Sequence, residues 1–166
     1  MTTAQHVLVL FDGLCEPLNP GGTGCFGYTI RGLTGPVDAI AGSGALPPLT
    51  DGQMTNNYAE YAALGRAVAL IVANYRDRIT PQTQLVICGD SKLVIEQLAG
   101  RWKCEAPHLV KLRDAVKEKL AYLGCQWRAE WIPREQNVEA DFLSRAAYTG
   151  RTGQLVPECP KKGAAE

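Results

Sequence analysis

Short apolar runs along the chain give way to stretches in which apolar residues recur every three or four positions. Val7-Leu8-Val9-Leu10-Phe11 is a continuous apolar run, the pattern of a strand buried on both faces. Residues 25–31 and about 37–46 predict two further strands, with Gly32, Gly35 and Pro36 between them suiting a hairpin. From about 57 to 74 the chain is rich in Ala and Leu and apolar nearly all round, which predicts a buried helix. Leu85-Val86-Ile87-Cys88 predicts another buried strand, closed by Gly89-Asp90, and a short helix is expected over about 91–99. After a loop over 100–107, Leu109, Leu112, Val116, Leu120 and Leu123 share one helical face within 108–123. Residues 126–132 predict a strand stopped by Pro133, and a last helix is expected from about 137 to 148.

The element order is therefore β-β-β-α-β-α-α-β-α. Three leading strands can pair antiparallel, and later strands separated by helices permit parallel crossovers. An α/β architecture follows, a mixed sheet flanked by helices. One domain is expected over residues 1–149, followed by a tail, 150–166, whose Gly, Pro and Lys content predicts disorder.

Composition narrows the function classes. Lys+Arg and Asp+Glu both number 17, so the net charge is zero and broad charge-driven adhesion to nucleic acid or membrane is disfavoured. A local basic patch is still allowed. The six cysteines, at 15, 25, 88, 104, 125 and 159, contain no C-x-x-C pair, and His6 and His108 stand apart, which argues against a zinc site. The thiols read as core or surface filler, and Trp127 and Trp131 as core. No signal peptide or membrane-length apolar run is evident, so a reducing cytoplasm is the expected location.

The candidate chemistry lies in four carboxylates at element ends. Asp12 follows the first apolar strand, Asp90 follows the second, Glu60 lies in the first turn of the long helix, and Asp141 lies near the start of the last one. Ligand sites in α/β sheets lie beyond the carboxyl ends of strands, and acids that meet there repel one another unless a hard divalent cation intervenes. Each residue also has a local reading. Glu60 could complete a capping box with Asn57, Asp90 could serve the N-terminus of the helix beginning near Ser91, Asp12 could brace a turn, and Asp141 could be a solvated helix residue.

The segments FDGLCEPLNPGG, TNNYAEYAAL, GDSKLVIEQL, GRWKCEAPHL and WIPREQNVEADFLSR occur in the order found in the type 1 ribonuclease H family, which the chain resembles over roughly residues 7–146. The resemblance implies the ribonuclease H-like fold, a five-stranded mixed sheet with helices on both faces. It implies cleavage of the RNA strand of RNA–DNA hybrids, leaving 5′-phosphate and 3′-hydroxyl ends, with two Mg²⁺ or Mn²⁺ ions per site held by Asp12, Glu60, Asp90 and Asp141. By the same resemblance the Gly13 backbone and the side chains of Asn19, Asn56 and Asn57 lie along the hybrid's minor groove, where the 2′-hydroxyl is read. The resemblance further implies that Thr55 and Ser91 hold a phosphate of the DNA strand and that Trp102 and Lys103 contact that strand through its sugar or base and its phosphate.

Several positions depart from the family's usual pattern. Residues 133–137 contain no His, and Arg134, a permanently charged group that can contact phosphate, stands in that loop instead. Lys92 stands where many members carry Gln, the spacing from Asp12 to Asn19 is one residue longer than usual, and cations around Arg101-Trp102-Lys103 are sparse. The expected protein is thus a monomeric ribonuclease H. The competing readings are a non-catalytic hybrid- or RNA-binding module and a nuclease of the same fold acting on DNA or structured RNA.

Overall fold

Five strands form one sheet in the order β3-β2-β1-β4-β5 in the computed structural model, which describes residues 3–35 and 37–157. The strands are β1 (His6–Glu16), β2 (Thr23–Arg31), β3 (Ala39–Ala45), β4 (Gln84–Gly89) and β5 (Gln126–Trp131). The first three run antiparallel to one another, and β1-β4 and β4-β5 pair in parallel. The helices are α1 (Asn56–Asn74), α2 (Lys92–Leu98), α3 (Pro107–Leu123) and α4 (Val138–Thr152). Fold class and element order match the expectation from the sequence. Among the described residues, no helix is long and apolar enough to cross a membrane.

The main core lies between one face of the sheet and α1, α2 and α3. Val7, Val9, Phe11, Ile87, Leu64, Val68, Ile95 and Leu120 are almost wholly buried there, and burial of each large aliphatic group contributes about 1.5–3 kcal/mol. Thr55 starts α1, its hydroxyl accepting the Tyr58 N–H at 3.1 Å. Thr55 is therefore the cap, and the capping-box reading of Asn57 and Glu60 does not apply. Helix α4 covers the opposite face through Ala140, Ser144 and Tyr148, four residues apart on its buried side.

Three local expectations are corrected. Strand β1 continues past Phe11 to Glu16, because Leu14 and Cys15 each bury a side chain while β2 still supplies ladder partners. Helix α4 runs to Thr152 and ends on Gly153 in a left-handed conformation, so residues 150–152 are helical. Trp131 is 48% exposed and Trp127 only partly buried, since β5 is an edge strand with a neighbour on one side alone. Cys15, Cys25, Cys88, Cys104 and Cys125 are free thiols; Cys159 and the remainder of 158–166 lie outside the described residues.

Candidate active site

The strand register explains why acids gather at one place. Pairing of β1 with β4 ends at Phe11↔Gly89, while β1 and β2 remain paired to Glu16↔Thr23. Asp12 is thus the first β1 residue beyond the reach of β4, and Asp90 is the first residue after β4. It is β4, not β1, that ends at the site. A rigid strand holds Asp12, and the step in the sheet opens space beside it.

Two glycines flanking Asp12 let helices approach from both faces. A Cβ on Gly13 would lie 2.2 Å from the Ala59 carbonyl carbon and 2.3 Å from the Glu60 nitrogen. The bare backbone at Gly13 therefore seats α1 and brings Glu60 to Asp12. Gly27, opposite Asp12 on β2, would place a Cβ 2.6 Å from both the Ala140 oxygen and the Ser144 nitrogen. The gap it leaves admits α4, whose Ser144 hydroxyl donates to Asp12 Oδ2.

Asp12, Glu60 and Asp90 each offer a carboxylate oxygen, and these oxygens lie within 4.8 Å of one another. Asp12 and Glu60 are buried, at 6% and 8% exposure. Loss of hydration pushes the Asp12 carboxyl up to about 7; the Ser144 hydrogen bond and Arg134 oppose this, and Asp90 and Asp141 reinforce it. Glu60 is likewise raised, first by burial and then by Asp12 and Asp90. Its Oε2 is buried without a hydrogen-bond partner. A buried carboxylate with an unpartnered oxygen, grouped with two other acids, belongs to a donor set suited to a hard divalent cation.

Two supporting residues went unmarked in the sequence. Asn137 is fully buried; its Nδ2 donates to the Phe11 carbonyl at 2.8 Å and lies 3.4 Å from Asp90 Oδ1, tying the ends of β1 and β4 together. It immediately precedes α4, but its side chain makes no capping bond there. The Trp131 indole donates to the Asp90 carbonyl at 3.1 Å, which places an aromatic ring at the rim of the site.

Asp141 differs from the other three. Its Oδ1 accepts from Arg134 Nη2 at 3.0 Å, and its two oxygens lie 3.2 and 3.1 Å from Arg145 Nε. Both guanidiniums line the same cleft of about 330 Å³ as the four acids. Arg145 was not among the expected site residues; its position four residues after Asp141 is the signal that points to it.

The expected groove residues divide between this cleft and its margins. Gly13, Asn56, Asn57, Ser91 and Arg134 line it. Asn19 lies behind it, its Oδ1 accepting the Asn56 N–H at 3.1 Å, and Asn56 Oδ1 accepts the Cys15 N–H at 2.6 Å. Thr55 and Ser91 use their hydroxyls as caps of α1 and α2. Trp102 and Lys103 sit outside the cleft, on the loop after α2, with Trp102 47% exposed. A separate apolar cleft of about 420 Å³ between α1, α3 and residues 46–49 contains no carboxylate.

A family model described as reverse transcriptase-like matches residues 11–147, and Ribonuclease HI of Halobacterium salinarum is 33% identical over 142 residues, 86% of this chain and 64% of that protein. The chain belongs to the type 1 ribonuclease H family. Among solved structures, the N-terminal RNase H domain of a Mycobacterium tuberculosis protein aligns with a TM-score of 0.73 at 27% identity, covering 91% of this chain and all of that domain. RNase H1 of Halobacterium salinarum aligns with a TM-score of 0.71 at 30% identity, covering 87% of this chain and 98% of that one. Three mycobacterial relatives, one of them a bifunctional protein, are 38% identical over 100 residues, and this chain covers 24% of their length.

Proposed function

We propose that this chain is a divalent-cation-dependent endonuclease that hydrolyses the RNA strand of RNA–DNA hybrids, leaving 5′-phosphate and 3′-hydroxyl ends. The observation that carries the reading is the cluster of Asp12, Glu60 and Asp90 oxygens within 4.8 Å of one another, set where β4 ends in a ribonuclease H fold. Similarity to a protein named Ribonuclease HI supports the substrate class. A pure binding module gains nothing from burying like charges opposite a polyanion.

Asp12, Glu60 and Asp90 hold the metal, with Asp141 as the fourth carboxylate. Bound Mg²⁺ or Mn²⁺, two ions with substrate present, supplies activation of water and neutralisation of charge on the scissile phosphate and the leaving oxygen. The residues of the chain do the rest. Asn137 and Ser144 fix the directions of Asp90 and Asp12. Arg134 meets a phosphate oxygen, exchanging its bond with Asp141 for one with substrate. Gly13, Asn56 and Asn57 face the minor groove, where an amide can both donate to and accept from a 2′-hydroxyl. Asn19 fixes Asn56, Thr55 and Ser91 contact the DNA strand's phosphate at the cleft margin, and Trp102 and Lys103 carry that strand farther out. The protein acts as a monomer, in a reducing cytoplasm compatible with its free thiols.

The test is digestion of a labelled RNA–DNA hybrid beside double-stranded RNA and double-stranded DNA, with Mg²⁺ or Mn²⁺ titrated in. Cleavage of the hybrid's RNA alone, dependent on the cation, is expected. Retention of hybrid without cleavage at saturating Mn²⁺ overturns the reading in favour of a binding module, and preferential cutting of either duplex points to another nuclease activity.

A further inference from the structure

A buried hydrogen-bond chain outside the carboxylate cleft joins the helix that carries Glu60 to the loop that carries Trp102. Tyr61, the residue after Glu60, is fully buried, and its hydroxyl donates to Gln97 Oε1 at 2.8 Å. Gln97, at the buried end of α2, donates from Nε2 to the Lys103 carbonyl at 3.1 Å. Its own carbonyl accepts the Gly100 N–H at 3.1 Å. The loop is gathered further by Glu96, whose carbonyl accepts the Arg101 and Trp102 N–H groups at 2.9 and 3.1 Å. Its carboxylate also pairs with Arg101 at 2.6 Å.

Apolar side chains of the same size would fill the space at 61 and 97 at less cost, because a buried hydroxyl and amide must recover their lost hydration through bonds of good geometry. Both donors in this chain find acceptors, and the chain ends on the backbone of the Arg101-Trp102-Lys103 segment. A fully satisfied polar network of this kind selects one arrangement of the elements it joins. Neither Tyr61 nor Gln97 lines the carboxylate cleft, so neither is a candidate for the chemistry.

We propose that Tyr61 and Gln97 are positioning residues that lock the 101–103 loop to α1, so that the DNA-strand contact and the carboxylates are held at a fixed separation. The inference rests on the hybrid-cleaving reading above. Loss of the lock leaves the carboxylate geometry intact and weakens capture of the hybrid. The signature is a raised KM with kcat unchanged, which general destabilisation does not produce.

The experiment compares steady-state cleavage of an RNA–DNA hybrid in Mg²⁺ by the intact chain and by Trp102→Ala, Gln97→Leu, Gln97→Glu and Tyr61→Phe. Trp102→Ala and Gln97→Leu are each expected to raise KM about tenfold, with kcat within about twofold. The double variant should be little worse than Trp102→Ala alone, because both changes disable one loop. Gln97→Glu keeps an acceptor for Tyr61 but has no donor for Lys103, and should behave like Gln97→Leu. Tyr61→Phe preserves volume and should raise KM about threefold. It also speeds amide exchange at residues 101–104, a readout independent of activity that holds even if Gln97→Leu folds poorly. A raised KM in Trp102→Ala with no change in either Gln97 variant overturns the lock and leaves the proposed function standing. An unchanged KM in Trp102→Ala overturns the loop's assignment and the lock with it. Absence of hybrid cleavage by the intact chain overturns the function itself.

Discussion

Asp12, Glu60 and Asp90 on one side of the cleft, and Asp141 on the other, show two ways of keeping an acid near an apolar sheet. The trio is unpaired with any cation among the described residues, two of its members are buried, and burial and mutual repulsion raise Asp12 and Glu60. Asp141 has 23% of its side chain exposed and is bracketed by Arg134 and Arg145. The trio is a cluster held at a cost to stability, one that a divalent cation would relieve under the proposed function. Asp141 is already satisfied and must exchange partners to join it. The largest effect that can break this contrast is Asp90→Asn, which removes one charge from the trio and nothing else of its size. We expect kcat on a hybrid to fall about a thousandfold, close to 4 kcal/mol of transition-state stabilisation. Full activity in that variant would falsify the assignment of the site.

Asp141→Asn should cost less, about thirtyfold in kcat, or 2 kcal/mol. Its carboxylate lies outside the group of oxygens within 4.8 Å of one another, so part of the machinery survives its loss. Equal losses in Asp90→Asn and Asp141→Asn would show that all four acids act as one set, and the distinction between trio and fourth member would fall.

Stability sharpens the contrast because the two sides differ in sign. A carboxyl raised from 3.8 to about 7 on folding holds its proton in the native state while the unfolded chain has lost it. Between those values the unfolded state binds fewer protons, so stability falls as pH rises through the window and levels off above it. Glu60 acts in the same direction. In chelator at pH 8, Asp12→Asn should therefore be more stable than the intact protein by about 1–2 kcal/mol in urea unfolding. The gain should shrink at pH 5 and vanish with saturating Mg²⁺. Asp141→Asn removes two ion pairs and should lose stability under the same conditions. A stabilised Asp141→Asn, or an Asp12→Asn that gains nothing at pH 8, would contradict the electrostatic picture.

How much of this was legible beforehand follows from which physics is local. Apolar runs marked β1 and β4, apolar composition marked α1 and a shared face marked α3, because burial patterns follow the element that makes them. The remaining elements were bounded mainly by Gly and Pro signals. The resemblance carried Asp12, Glu60, Asp90 and Asp141 to their positions, the strand register shows why Asp12 and Asp90 meet, and the gap at Gly13 shows how Glu60 joins them. What stayed hidden depends on contacts between distant segments. The sequence does not show that β1 outruns β4, nor that Gly13 and Gly27 are the gaps through which α1 and α4 reach Asp12. Asn137 went unmarked because its long reach to Phe11 and Asp90 has no local signature. Trp131 looked like core because composition cannot identify an edge strand.

The smallest expected effect tests whether Asp141 is held back by its partners. Arg145 lies four residues after Asp141 on α4, acid first, the favourable order for a helical ion pair. With 36% of the Arg145 side chain exposed, such a pair is worth about 0.5 kcal/mol. Arg145→Met keeps much of the apolar stem and should cost about that much in chelator. It also removes a positive charge beside the acids, so Mn²⁺ binding to the substrate-free protein, followed by calorimetry, should tighten about threefold. Arg134→Met should act in the same direction, and the double variant should exceed either, because one guanidinium can still hold Asp141 when the other is gone. Unchanged Mn²⁺ affinity in the double variant would mean that Asp141 stands apart from the cation site, leaving the trio to hold the metal alone.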